Sequence, residues 1–279
     1  MRLTKHHGLE NDFLVLLDAA GDQPVEPELA QRICDRHTGV GADGLIRATR
    51  LQVSPDEADS QLPDAVMELY NADGSRAEMS GNGIRCLAQA LVLDEWVADK
   101  PDEPAVATIL TDAGRRIVSL RETVDARTHR FAVDMGPVRF DGEAASWVDG
   151  PVTRAAWADM GNPHLVLQLD LERSDEADLE LLGEKANMLT PQGANVHVLL
   201  AGAVPDTIII RSFERGVGLT QACGTGACAS AAIAQRWGLV GDTVEVRMPG
   251  GNADVRLGPT IELTGPAVLI AAVDYPVPG

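Results

Sequence analysis

Short runs in which apolar and polar residues alternate recur along the whole chain. They predict strands at Phe13–Leu17, Val66–Tyr70, Val106–Leu110, Ile117–Leu120, Leu165–Leu169, Val196–Leu200, Thr207–Phe213, Val244–Met248 and Ala267–Val273. Helical spacing is rarer. It predicts helices over Pro27–His37, Gly83–Val97 and Gly226–Trp237, the last stopped by Gly238. Two acidic stretches interrupt the pattern, Ser54–Asp64 and Asp170–Glu184, and read as surface insertions, the second as a solvated face or a short acidic helix. Many strands around a few helices point to an α+β (mixed α/β) fold, not to a regular strand–helix alternation.

The pattern also repeats itself. The strand Ala65–Tyr70 leads through a polar turn to Ser80-Gly81-Asn82-Gly83, an apolar helix, and a hairpin turning at Asp112–Gly114. The strand at Thr207–Phe213 leads in the same order to Cys223-Gly224-Thr225-Gly226, an apolar helix, and a hairpin turning at Pro249–Asn252. Asn11-Asp12-Phe13-Leu14-Val15 is echoed by Asn162-Pro163-His164-Leu165-Val166. Four matching elements in order predict two similar units, which suits a chain of 279 residues.

Charge narrows the function. The 23 basic and 42 acidic residues leave a formal charge of −19, and only Lys5, Lys100 and Lys185 are lysines. Such a surface repels phosphate backbones and anionic lipids, so neither nucleic acid nor membrane is an expected partner. Met1–Phe13 is polar and no run of 18 apolar residues occurs, which predicts a soluble, cytoplasmic protein. Cys34, Cys86, Cys223 and Cys228 show neither CxxC nor Cys/His metal spacing, so no metal and no disulfide framework are expected.

Chemistry concentrates at the glycine-rich repeats. A Gly-x-Gly run opening a helix leaves backbone N–H groups free to cradle a small anion. Neither run carries the Lys-Ser/Thr of a P-loop or a complete GxGxxG, and no lysine sits where a pyridoxal Schiff base would need it. Cys223 precedes the second run, where a helix field lowers a thiol's pKa and makes it a candidate base or nucleophile. A small buried turn residue is the plainer reading of a Cys-Gly pair; the glycine-rich setting favours function. Glu214 and Arg215 in ERGVG sit at a strand end, and GNPH places Asn162 and His164 at a strand start. Taken singly, these are an ordinary charged turn and a core histidine. Cys34, Cys86 and Cys228 read as packing residues, while His6, His37, His129 and His197 show no usable pattern.

KHHGLENDF, TGVGADG, NADGSRAEMSGNGIR, MGNPH, GANVHV, ERGVG and ACGTGACA run in order from Lys5 to Ala229. As a set they resemble the diaminopimelate epimerase family of bacterial lysine and cell-wall synthesis. The resemblance implies two pseudo-symmetric units, each a β-sheet wrapped around a central helix, facing one another across the active site. Their expected bounds are 1–124 plus 266–279, carrying Ser80, and 125–265, carrying Cys223. A homodimer with no cofactor is implied, acting on a small amino-acid substrate. Two cysteines would work on opposite faces of the α-carbon, one removing a proton and the other delivering one. Cys223 matches one of them. Asn11, Asn71, Asn162, Asn195, Glu214 and Arg215 match substrate-binding positions, and Gly81, Asn82, Gly224 and Thr225 match the two carboxylate cradles. His164 and Glu214 match the polar partners of the thiols.

One departure matters. Ser80 stands where the family's other cysteine is expected, and a hydroxyl is a poor proton carrier without a neighbouring base. Leu219 follows ERGVG where an acid is common. An epimerase interconverting LL- and meso-diaminopimelate is the leading expectation. The alternatives are a one-thiol relative acting as a dehydratase or as a racemase of another amino acid, and a non-catalytic amino-acid-binding protein.

Overall fold

A computed structural model describes residues 1–51, 62–99 and 103–276. Most of the expected insertion at Ser54–Asp64 lies outside the described residues. In chain order the elements are β1 (Arg2–Gly8), β2 (Asn11–Leu17), α1 (Pro27–Cys34), β3 (Gly44–Thr49), β4 (Ala65–Asn71), β5 (Arg76–Ala77) and α2 (Gly81–Leu93). There follow β6 (Val106–Thr111), β7 (Gly114–Thr123), β8 (Thr128–Asp134), β9 (Arg139–Glu143), β10 (Val152–Asp159), β11 (Pro163–Leu169), α3 (Leu179–Leu189) and β12 (Asn195–Ala201). The remainder are β13 (Thr207–Glu214), β14 (Gly218–Thr220), α4 (Gly224–Arg236), β15 (Thr243–Met248), β16 (Gly251–Arg256) and β17 (Glu262–Asp274).

The chain divides into two compact units, Met1–Val133 with Gly265–Gly279, and Asp134–Thr264. The first junction falls nine residues beyond the expected one at 124, because β8 pairs with β7 and stays with the first unit. In that unit β1, β2, β3, β4, β6, β7 and β8 pair in succession, and the later part of β17 pairs with both β1 and β8. The ring closes around α2. From Gly81 to Leu91 every residue of this helix is buried, as expected of a helix enclosed on all sides. Its two long polar residues, Arg85 and Gln89, stand one turn apart and share a face. Arg85 donates to Gly81 O and Asn82 Oδ1, and Gln89 donates to Arg127 O and Ala267 O while its Oε1 faces His6 Nδ1. The Gln89–Ala267 bond, with one from Arg85 Nε to Pro266 O, fastens β17 to the central helix.

In the second unit β9 to β13 pair in order, β13 continues to β15, and β16 and the first residues of β17 follow. Backbone bonds from Met135 N to Ile261 O and from Ile261 N to Gly136 O join the two ends. α4 fills the middle, and its sequence GTGACASAAIAQR is built from small residues that admit strands close on every side. The fold is the mixed α/β arrangement expected, with two units of the same plan.

Several boundaries moved for local reasons. α1 stops at Cys34 instead of His37 because Asp35 turns extended and its carboxylate accepts from His37 N and Thr38 N. α2 ends at Leu93, where Asp94 leaves the helix and Glu95 adopts φ +57. The acidic stretch after Asp170 forms a 3-10 turn and then α3, capped by Asp178. It is not wholly solvated: Leu179, Gly183 and Ala186 pack inward, and a Cβ at Gly183 would lie 2.2 Å from the Phe213 ring.

Candidate active site

The two glycine-rich runs fold alike. Ser80 caps α2, its Oγ accepting from Gly83 N at 3.1 Å; Cys223 caps α4, its Sγ accepting from Gly226 N at 3.3 Å. Both side chains thus take up a donor that the first turn leaves unsatisfied. Their surroundings differ.

Around the Ser80 turn the first helical glycines pack closely. A Cβ on Gly83 would meet Ser80 Cβ, Ile46 and Phe13 at 3.2–3.4 Å. Among the described residues the Ser80 side chain has the Gly83 N–H as its one hydrogen-bond partner. Beside it, Asn82 Nδ2 donates to Asn11 Oδ1 at 3.1 Å, and Asn11 Nδ2 donates to Asp43 Oδ2 at 2.8 Å. Asn11 is therefore pinned at both ends of its amide. Asp43 is itself held by Arg36, which also pairs with Asp12, and Lys5 completes the cluster at 2.9 Å from Asp12. Asn71 stands apart. It is exposed, and its amide closes the following turn onto Ser75 Oγ.

Around Cys223 the neighbours are polar. The thiol is buried, 3 % exposed, and lies 3.6 Å from Thr225 Oγ1; the Glu214 carboxylate, whose Oε1 accepts from Thr220 Oγ1 at 2.7 Å, is close enough to bear on its charge. Burial pushes the Cys223 thiol well above its ordinary pKa and the Glu214 charge pushes the same way; Thr225 and the Gly226 N–H oppose more weakly. The expectation of a thiol acidified by its helix is overturned, because desolvation outweighs the helix field. Cys223 rests protonated, a proton donor with a carboxylate beside it. Gly224 and Thr225 form the half-buried first turn of α4. Asn195 Oδ1 accepts from Arg215 N at 2.9 Å, and the exposed Arg215 guanidinium donates to Gln192 O at 2.6 Å.

His164 is fully buried at the start of β11. Its Nε2 lies 2.8 Å from Asn162 Oδ1 and its Nδ1 lies 2.8 Å from His197 Nε2; His197 Nδ1 in turn lies 2.8 Å from Ser212 Oγ. His197 and Ser212, together with Asp43 and Arg85, are the site-building residues that sequence reading passed over. A strand register was the missing signal, since Val166 and Ser212 flank His197 on neighbouring strands. Cys34, Cys86 and Cys228 are buried, as their reading as packing residues requires, and burial lifts Cys34 and Cys86 to about 12. Among the described residues no cluster of three metal-ligating side chains occurs, and no helix is long and apolar enough to cross a membrane.

Burial also holds the histidines neutral: His6 falls to about 4, His197 to about 3, and His164 well below its ordinary value. The unfolded chain binds protons near pH 6.5 that the folded protein refuses, so stability is complete above 6.5 and is lost as pH falls toward 4. Each such histidine contributes a slope of roughly 1.4 kcal/mol per pH unit. Urea midpoints measured at pH 7.5, 6 and 5 are expected to fall steeply over the last step. A flat series would show that the buried histidines are charged.

A model of diaminopimelate epimerase matches residues 3–140 and 156–270 of the chain. The chain is 37% identical over 275 residues to the diaminopimelate epimerase of Corynebacterium glutamicum (strain R), covering 96% of this chain and 95% of that protein. With the diaminopimelate epimerase of Thermobifida fusca it shares 37% over 289 residues, 98% and 97% of the two chains. Among solved structures, a phenazine biosynthesis protein of the PhzF family from Bacillus anthracis superposes with a TM-score of 0.73 at 14% identity, covering 99% of both chains.

Proposed function

The chain belongs to the diaminopimelate epimerase family, and from that premise we propose that it interconverts LL- and meso-diaminopimelate by proton transfer at the α-carbon. The observation that carries this reading is the buried Cys223 thiol, capping α4 through the Gly226 N–H with the Glu214 carboxylate acting on it. Cys223 serves one face of the α-carbon. When it delivers a proton, the thiol S–H bond breaks, a C–H bond forms at the carbanion, and the negative charge passes to sulfur. When it removes one, its own proton first moves to Glu214, and the resulting thiolate takes the α-proton. Ser80 occupies the position of the second acid/base group. The first turns at Gly81-Asn82 and Gly224-Thr225 receive carboxylate and stabilise the charge that develops at the reacting centre. Asn11, Asn71, Asn162, Asn195 and Arg215 bind the polar ends of the substrate. The enzyme works in the cytoplasm as a homodimer, without a cofactor.

The test is solvent exchange. Each isomer is incubated in deuterated water, and label at the α-carbon is followed by mass spectrometry alongside isomer composition. Label entering both isomers, with slow interconversion, is expected. Label entering neither would sink the proposal. A second reading rests on the Ser80 hydroxyl, which among the described residues bonds only to the Gly83 N–H and to no side-chain base: a one-thiol enzyme that exchanges label from a single isomer and does not epimerise.

A further inference from the structure

The chain of bonds Ser212–His197–His164–Asn162 has four members and three links, each 2.8 Å. Such a chain can run in two directions, and donors and acceptors decide which. Ser212 is 3 % exposed, and among the described residues its hydroxyl has one hydrogen-bond partner, His197 Nδ1. A buried O–H needs an acceptor, so the hydroxyl donates there. His197 Nδ1 is then an acceptor and its Nε2–H donates to His164 Nδ1. By the same logic His164 Nε2–H donates to Asn162 Oδ1. The opposite direction would leave the Ser212 O–H buried without a partner.

We propose that His197 and Ser212 are positioning residues that, through His164, fix the orientation of the Asn162 amide, with its carbonyl turned to His164 and its NH2 offered to an anionic group of the ligand. This rests on the proposed function for the ligand alone; the direction of the relay stands on its own geometry. The relay is polarised and uncharged, which fits two histidines held neutral by burial.

The first unit provides the control. His164 pairs with Asn195 as Phe13 pairs with Gly44, and Val166 pairs with His197 as Val15 pairs with Ile46. His197 faces Ser212 across β12 and β13 as Ile46 faces Leu69 across β3 and β4. The side chains agree with the register: Ile46 lies against Gly83 and His197 against Gly226. Where the second unit holds His164, His197 and Ser212, the first holds Phe13, Ile46 and Leu69. An apolar trio therefore suffices for the fold at these positions. Asn11, the counterpart of Asn162, is oriented differently, by Asn82 and Asp43.

The test begins with the unaltered protein. Long-range proton–nitrogen correlation spectra resolve the tautomers of its six histidines, with assignment by single replacement of His164 and His197. Both are expected to carry their proton on Nε2, unchanged between pH 8 and pH 5. A proton on Nδ1 of either overturns the proposal. His197→Ile, which copies the first unit, is expected to fold, to mix the tautomers of His164, and to raise KM for meso-diaminopimelate about tenfold with kcat within about threefold. His197→Gln restores a donor at the Nε2 position and is expected to recover most of that loss. Equal KM values for the two variants would sink the positioning role. If the tautomers are as stated but diaminopimelate is neither bound nor turned over by the unaltered protein, the substrate assignment fails and the relay stands.

Discussion

Replacing Ser80 by cysteine is expected to raise the rate of epimerisation by a factor on the order of 10²–10⁴, the usual contribution of a positioned acid or base. The serine hydroxyl carries a proton poorly, and among the described residues its side chain bonds only to the Gly83 N–H. Sulfur fits the same role without distortion: at the equivalent position Cys223 Sγ accepts from Gly226 N at 3.3 Å, against 3.1 Å for Ser80 Oγ and Gly83 N. Ser80 is also the more open of the two, half-buried where Cys223 is buried, so the larger atom has room. The measurement is the steady-state rate from each isomer. An unchanged rate would mean that position 80 does not handle the proton, and the one-thiol reading would take its place.

The second large effect concerns Gly226. Gly226→Ala is expected to cost about 3 kcal/mol of stability, or roughly a hundredfold in the folding equilibrium, while Gly83→Ala at the matching position is expected to be near neutral. A Cβ at 226 would lie 2.2 Å from His197 Cε1 and under 3 Å from both ring nitrogens. The ring cannot step aside, since it is fully buried and tied on one side to His164 and on the other to Ser212. At 83 the nearest atoms are 3.2–3.4 Å away, at Ser80, Ile46 and Phe13, and the gain in helix propensity offsets the tighter contact. Urea unfolding of the two variants separates the cases. Similar midpoints would show that His197 has freedom to move.

The pairing of these two glycines shows what the chain disclosed on inspection. Alternation and the glycine-rich runs placed nine strands, three helices and both caps, because those signals are local. β1 and β10 escaped for the opposite reason. RLTKHHG lacks an apolar alternation, its buried His6 being satisfied by Gln89 and Thr4, and VTRAAWAD owes its strand to partners on both sides more than to β-branched residues. The candidate site followed the same division. Cys223, Glu214 and Arg215 announce themselves by spacing. His197 and Asp43 matter through residues 33 and 32 positions away in the chain, a relation that strand pairing creates and sequence order hides. In the sequence the helix start beside Cys223 is visible and the burial around it is not, and it is the burial that sets the thiol above its ordinary pKa.

The return of β17 to the first unit has a consequence for synthesis. The second unit is one continuous stretch, Asp134–Thr264, and its strands are all present once that stretch has left the ribosome. The first unit begins earlier and finishes later. Until β17 emerges, β1 and β8 each keep an open edge, and Gln89 and Arg85 lack the carbonyls of Ala267 and Pro266. The half of the protein translated first is thus the last to complete its fold, and its nascent edges are where a chaperone or a mispairing neighbour would act.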